Sequence, residues 1–155
     1  MNATVRLPDG SDLTLADSPW AALAADLPHE APPARLVYAA AHLVMNESYA
    51  TLGHTIDRPG SPADIAPHID WDATTRFRTH LASHGFGIAE AMDTAQRYEI
   101  GWPIARELIE RCGRLRLPTG FIAGAGVDQL ERITNLNGLI DAAVEQCAVI
   151  KAAGG

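Results

Sequence analysis

Lysine is almost missing from this 155-residue sequence: Lys151 is the only one, against eleven arginines. A reaction that needs a lysine nucleophile therefore has a single candidate in the chain. Cysteine is nearly as scarce. Cys112 and Cys147 lack metal-ligand spacing and read as small core fillers of a reduced, cytoplasmic compartment. Long apolar runs are lacking too, none approaching the ~20 residues that a membrane span requires. The first residues carry Arg6 and Asp9 and no apolar core, which excludes a secretory signal. Positive charge is in the minority, 12 basic residues against 19 acidic for a net charge of −7, which argues against nucleic acid or an anionic membrane as partner. What remains, 47% hydrophobic and 20% charged, is the composition of one ordinary globular domain.

Alternation opens the chain. Val5 and Leu7, then Leu13 and Leu15, flank Pro8-Asp9-Gly10-Ser11, a hairpin signal because Asp-Gly supplies the turn. Ser18-Pro19 predicts the N-cap and first residue of a short Ala-rich helix, ended by Pro28, Pro32 and Pro33. Residues 1–34 thus read as an appendage, and 35–155 as the main domain. Leu36 to Val44 is an almost unbroken apolar run, expected of a strand buried on both faces. Residues 46–69 form a long loop punctuated by Gly53, Pro59, Gly60, Pro62 and Pro67.

Asp70 then caps a helix that places Trp71, Thr74, Phe77 and Leu81 on one face and stops at Gly85. Gly87 to Met92 predicts a second buried strand. A second helix starts near Trp102-Pro103 and buries Ile104, Ala105, Leu108, Ile109 and Cys112, with Glu107 and Arg111 paired on its outer side. Gly120 to Gly124 is the third strand. A third helix from about Asn137 is expected to bury Leu139, Ile140, Ala143, Val144 and Cys147. The order β-α-β-α-β-α calls for a parallel sheet with right-handed crossovers, and 27 alanines suit close helix-on-sheet packing.

Ile69-Asp70-Trp71-Asp72-Ala73, the helix ending His84-Gly85, the stretch Gly87 to Gln96 and Phe121-Ile122-Ala123-Gly124-Ala125-Gly126 together resemble the dihydrodipicolinate synthase and N-acetylneuraminate lyase family. Tyr38-Ala39-Ala40-Ala41-His42 and Ala91-Met92-Asp93-Thr94-Ala95-Gln96 are similar to a divergent dihydrodipicolinate synthase-like branch. The resemblance covers about residues 35–155. It implies the N-terminal part of a (β/α)8 TIM barrel, about three βα units, preceded by the hairpin and short helix. It also implies aldol addition or cleavage of a small 2-oxo acid or sugar acid through a Schiff base on a sixth-strand lysine. A complete barrel needs roughly 250 residues, so that lysine is expected outside this chain, with the remainder of the barrel or a homo-oligomer completing the fold. The family's paired threonines fall on Asp93-Thr94, so a carboxylate stands where a hydroxyl would hold the substrate; the Gly-Glu that follows them becomes Ala95-Gln96.

In a barrel the carboxyl ends of the strands share one mouth. That position makes His42, Glu90 and Asp93 the expected catalytic residues, and Thr94, Gln96 and Asp128 the expected substrate contacts. Asp93 and Asp128 serve equally well as helix caps, and His42 as a hydrogen-bonded core residue. No cofactor is expected. A divalent ion on Glu90, Asp93 and His42, stabilising an enolate as in metal-dependent isomerases and aldolases, is the alternative, and a non-catalytic subunit is the third reading. Gly124 and Gly126 supply two of the three glycines of a dinucleotide fingerprint. His80 and His84 lie one helical turn apart, either sharing a metal or favoured by the helix dipole. No Walker motif, nucleophile elbow, His-Glu-x-x-His or Cys-x-x-Cys occurs.

Overall fold

The computed structural model describes residues 3–7, 9–15, 35–55, 57–92 and 95–155. The chain divides into two compact units, Met1–Arg35 and Leu36–Gly155. In the first, β1 (Ala3–Arg6) and β2 (Asp12–Leu15) pair antiparallel with Val5 opposite Leu13. Asp9 shapes the turn by accepting from the Ser11 hydroxyl at 2.6 Å and its N–H at 2.9 Å. Those bonds hold its carboxyl below the usual range. Gly10, at φ 83°, takes the left-handed turn position. The helix expected after Ser18 lies outside the described residues.

The second unit is a mixed α/β layer. Its strands β3 (Tyr38–Ala40), β4 (Gly87–Glu90) and β5 (Phe121–Ala123) form a parallel sheet in chain order, with Ala39, Ile88 and Phe121 in one row. Right-handed crossovers that always step in one direction put every connecting helix on the same face. Burial agrees: Ala41, Ile88, Glu90 and Phe121 alternate onto the helix-packed side and are buried. Ile122 on the opposite side is 44% exposed. The first strand is much shorter than the apolar run around it. Its neighbours Leu36 and Val37 stay exposed, because among the described residues β3 has a strand on one side only.

Between β3 and the first long helix, residues 46–69 are more ordered than their sequence predicts. A 3₁₀ turn (Glu47–Leu52), the short α1 (Pro62–Ile65) and a second 3₁₀ turn (Ala66–His68) fill the span. Ser61 and Asp64 cap α1 reciprocally. The loop closes on itself where Met45 bridges Ile69 and the Asp70 N–H reaches the Val44 carbonyl at 2.8 Å.

Asp70 caps α2 (Trp71–Ser83) as expected, accepting from the Ala73 N–H at 2.8 Å. The next helix, α3 (Arg97–Arg114), begins earlier than the Trp102-Pro103 signal. The reason is a kink: Gly101 at φ 68° breaks the backbone geometry, and Trp102-Pro103 starts the straight second segment. Ile104, Ala105, Leu108, Ile109 and Cys112 are all buried, and Arg111 meets Glu107 at 2.6 Å.

The last helix, α4 (Leu136–Ala153), is rotated from expectation. Ala142 and Gln146 face inward, whereas Ile140, Val144 and Cys147 are exposed. Gln146 decides this rotation, since its amide completes a buried polar cluster that no apolar side chain could satisfy. Cys147 is therefore not a core filler; Cys112 is.

Helices α3 and α4 meet at Gly113, where a Cβ would stand 2.2 Å from the Ala153 carbonyl oxygen. Gly113→Ala is expected to destabilise the protein by about 1–3 kcal/mol. Gly138→Ala, where nothing lies closer than 3.5 Å, is expected to cost nothing or to stabilise slightly. Thermal melts of the two variants check this contrast.

Candidate functional site

Two buried arginines organise the carboxyl ends of the strands. Arg78, from the middle of α2, is 1% exposed and forks onto Glu90, with Nε to Oε2 at 2.5 Å and Nη2 to Oε1 at 2.7 Å. Its remaining N–H groups donate to the carbonyls of Ala41, His42 and Thr74. Glu90 also accepts the Ala91 N–H at 2.9 Å. The pair is thus saturated, and it ties α2 to β4 and to the segment after β3. Cys112 lies against it. Burial, reinforced by the Glu90 carboxylate, pushes that thiol up to about 12, so it is a poor nucleophile.

Arg97, at the start of α3, does the same one unit further along. It binds Asp128 bidentately at 2.9 Å for both bonds, donates to the carbonyls of Ala91 and Gly124, and reaches Gln146 Oε1 at 2.7 Å. Gln146 accepts from the Gly126 N–H and donates to Asp128 and Gln129. The guanidinium also stacks 5.1 Å from the Trp102 ring. Hydrogen bonds from Arg97, opposed in part by burial and joined by Gln146, hold the Asp128 carboxyl below its usual range.

Against this frame the expected site residues separate. Glu90 points to the helix-packed side and makes a structural ion pair, so it does not reach a mouth on the opposite face. Asp128 caps no helix; it anchors the loop after β5 to α3. His42 follows β3 on the open-face side of the alternation, exposed, with its backbone carbonyl bound by Arg78. Gln96 is exposed at φ 57° and turns toward a different cavity from Asp128. Asp93 and Thr94 lie outside the described residues.

The expectation that all these polar ends converge fails for Glu90 and Gln96. In a short parallel sheet, successive residues face opposite sides, and a helix start divides what sequence places together. Arg78, Arg97 and Gln146 went unseen: Arg78 and Gln146 read as ordinary polar residues on a helix surface, and Arg97 falls before the helix start expected at Trp102-Pro103. An arginine among Thr74, Phe77 and Leu81 on the inward face was the one available signal.

A cleft of about 360 Å³ remains at the carboxyl ends of β4 and β5, lined by Met92, Arg97, Tyr98, Gly124, Gly126 and Asp128. Tyr98 stands 79% exposed at its rim, and Ala91 at φ 48° holds a conformation that an L-residue adopts only under constraint. Gly124 and Gly126 do not lead into a helix, since α4 begins only at Leu136, so the phosphate-binding helix start of a dinucleotide fold is lacking there. His80 and His84 stack edge to face at 4.7 Å, and no cluster of three or more metal-ligating side chains occurs among the described residues. Nor does any helix among them have the length and apolarity to cross a membrane.

Fold and cleft define an α/β protein with a parallel sheet and its candidate site beyond the strands' carboxyl ends. Residues 5–155 match a family described as protein of unknown function, DUF993, and the chain belongs to that family. This membership by itself makes no link to dihydrodipicolinate synthase. No curated protein and no solved structure matches the chain.

Removing one partner of the Arg78–Glu90 pair leaves a buried charge uncompensated. Glu90→Gln or Arg78→Met is expected to cost about 3–5 kcal/mol, with the double variant Arg78→Met/Glu90→Leu markedly less impaired than the sum. Urea denaturation of the three variants reads the coupling. The Asp128 carboxyl has a folded-state pKa below its unfolded value, so its contribution is full at neutral pH and is lost as pH falls through about 4 and below. Asp128→Asn is expected to lower the melting temperature at pH 7 and to flatten its decline toward pH 3; parallel melts at the two pH values check it.

Proposed function

We propose that residues 36–155 are the first three βα units of a (β/α)8-barrel lyase of the dihydrodipicolinate synthase kind, acting on a small 2-oxo acid or sugar acid in the cytoplasm. The observation that carries this reading is the sheet: parallel strands in strict chain order, all helices to one side, and an open cleft at the carboxyl ends. A barrel is built by repeating this step until the sheet closes, with its chemistry at that end. The motifs around Ile69, Gly87 and Phe121 that resemble the lyase family support the same reading, independently of the sheet.

Uncovered apolar surface points the same way. Ile122 on the open face and Leu136, Ile140 and Val144 along α4 are between 44% and 70% exposed. Further βα units, from a longer chain or from another copy, would pair the edge of β5 and cover that stripe.

The roles follow from placement. Arg78 with Glu90 and Arg97 with Asp128 position the strand ends. Among the described residues, His42 on the open-face side and Tyr98 at the rim of the cleft are the groups open to a substrate; Asp93 and Thr94 keep the roles that the resemblance implies. The Schiff-base lysine belongs to a strand beyond these three. Lys151 is excluded because it sits in the last turn of α4, whose end packs near Phe121 at the start of β5, away from the cleft.

The test is borohydride reduction of the full-length natural protein carrying this sequence, in the presence of pyruvate or a 2-oxo sugar acid. Mass spectrometry is expected to find a covalent adduct on a lysine outside residues 1–155. Turnover without any adduct, abolished by a chelator and restored by Mg²⁺, Mn²⁺ or Zn²⁺, would replace this reading with the metal-dependent one. Neither adduct nor turnover would leave a non-catalytic subunit.

A further inference from the structure

A cavity of about 530 Å³ opens between α3 and α4. Arg106, Glu110, Arg114 and Arg116 line it from α3 and the turn that follows, and Val149 and Ala152 from α4. Positions 106, 110 and 114 recur at every fourth residue, so one face of α3 carries all three. Arg116 also lines an adjoining hollow with Gly120 and Phe121, at the amino end of β5. The cavity therefore lies at the opposite end of the sheet from the cleft beyond Gly124.

Its charge runs against that of the chain. Three guanidiniums share it with one carboxylate, in a protein whose net charge is −7. Arg106 gives its Nε–H to Glu110 at 2.9 Å, which neutralises that arginine alone. Arg111 in the same last turn pairs with Glu107, whereas Arg114 and Arg116 make no ion pair or side-chain hydrogen bond among the described residues. The dipole of α3 favours a cation in its last turn, but that does not account for Arg116. Arg116 follows the Leu115 cap at φ 48°, the left-handed position that helices commonly give to glycine. Its own N–H closes the turn on the Gly113 carbonyl at 3.2 Å, so its side chain is not needed as a cap. A cationic side chain is thus kept, at the cost of backbone strain, where the fold does not use it.

We infer that this cavity binds the phosphate group of a small phosphate monoester. Such a group carries close to two negative charges at neutral pH, matching the two guanidiniums without a partner. Its terminal oxygens accept hydrogen bonds from several directions, and planar guanidinium forks suit them. A phosphate puts both charges on one tetrahedral group, where a dicarboxylate divides them between two. Val149 and Ala152 offer apolar walls to the organic part. The inference depends neither on the lyase reading nor on the cleft at the carboxyl ends.

The experiment is an NMR titration of the full chain with glycerol 3-phosphate, following the side-chain N–H signals of Arg106, Arg114 and Arg116, with glycerol and succinate as comparators. Saturable shifts at these arginines are expected, with a Kd on the order of 0.1–1 mM, and succinate about tenfold weaker. Arg114→Gln and Arg116→Asn are each expected to weaken glycerol 3-phosphate by about tenfold or more. Asparagine tolerates the left-handed backbone, so Arg116→Asn removes the charge without adding strain. Arg76→Gln, on the exposed side of α2, makes the same change in net charge outside the cavity and is expected to leave binding unchanged. The inference is overturned by no saturable shift with glycerol 3-phosphate, by binding that both cavity variants leave intact, by an equal loss in Arg76→Gln, or by glycerol or succinate binding as tightly. Should a variant unfold, the wild-type ranking of the three probes still decides.

Discussion

Where a parallel strand ends, its ladder stops but its carbonyl groups do not, and each buried one needs a donor. That requirement shapes the main unit of this protein. The carbonyls of Ala41 and His42 after β3 go to Arg78; those of Ala91 and Gly124 after β4 and β5 go to Arg97. Each guanidinium has five N–H groups in a rigid plane, so one side chain serves several carbonyls and a carboxylate together. Lysine, with a single ammonium on a flexible stem, does not reproduce that pattern.

The carboxylates follow from the arginines. A guanidinium inside a protein is tolerated only when its charge is balanced. Glu90 balances Arg78 from the helix side of β4, and Asp128 balances Arg97 from the loop after β5. Glu90, which invites a catalytic reading by its place at a strand end, and Asp128, which invites a substrate-binding one, are thereby committed to holding those ends. The groups left free to act are those facing away from the helices or lying in the loops. The same logic turns α4: Gln146 must face Arg97, Gly126 and Asp128, and the helix rotates to bring it there.

Legibility tracked how local each signal was. The Asp9-Gly10 hairpin, the Asp70 cap and the inward face of α3 need only neighbours within a few residues, and all are read correctly from sequence. The kink at Gly101 hid the true start of α3, because Trp102-Pro103 carries the grammar of a helix beginning. The run from Leu36 to Val44 promised a long buried strand, yet hydrogen-bonding partners allow only three residues of it.

The amino-acid order alone determined the alternation of strands and helices, and with it a parallel sheet, because apolar periodicity and capping act over one or two turns. Tertiary structure decided which side of the sheet each strand-end residue faces, which arginine meets which acid across 12 and 31 positions, and which stripe of α4 stays outside. Those outcomes depend on pairing buried charges and carbonyls between elements distant in the chain, and no local pattern encodes a partner.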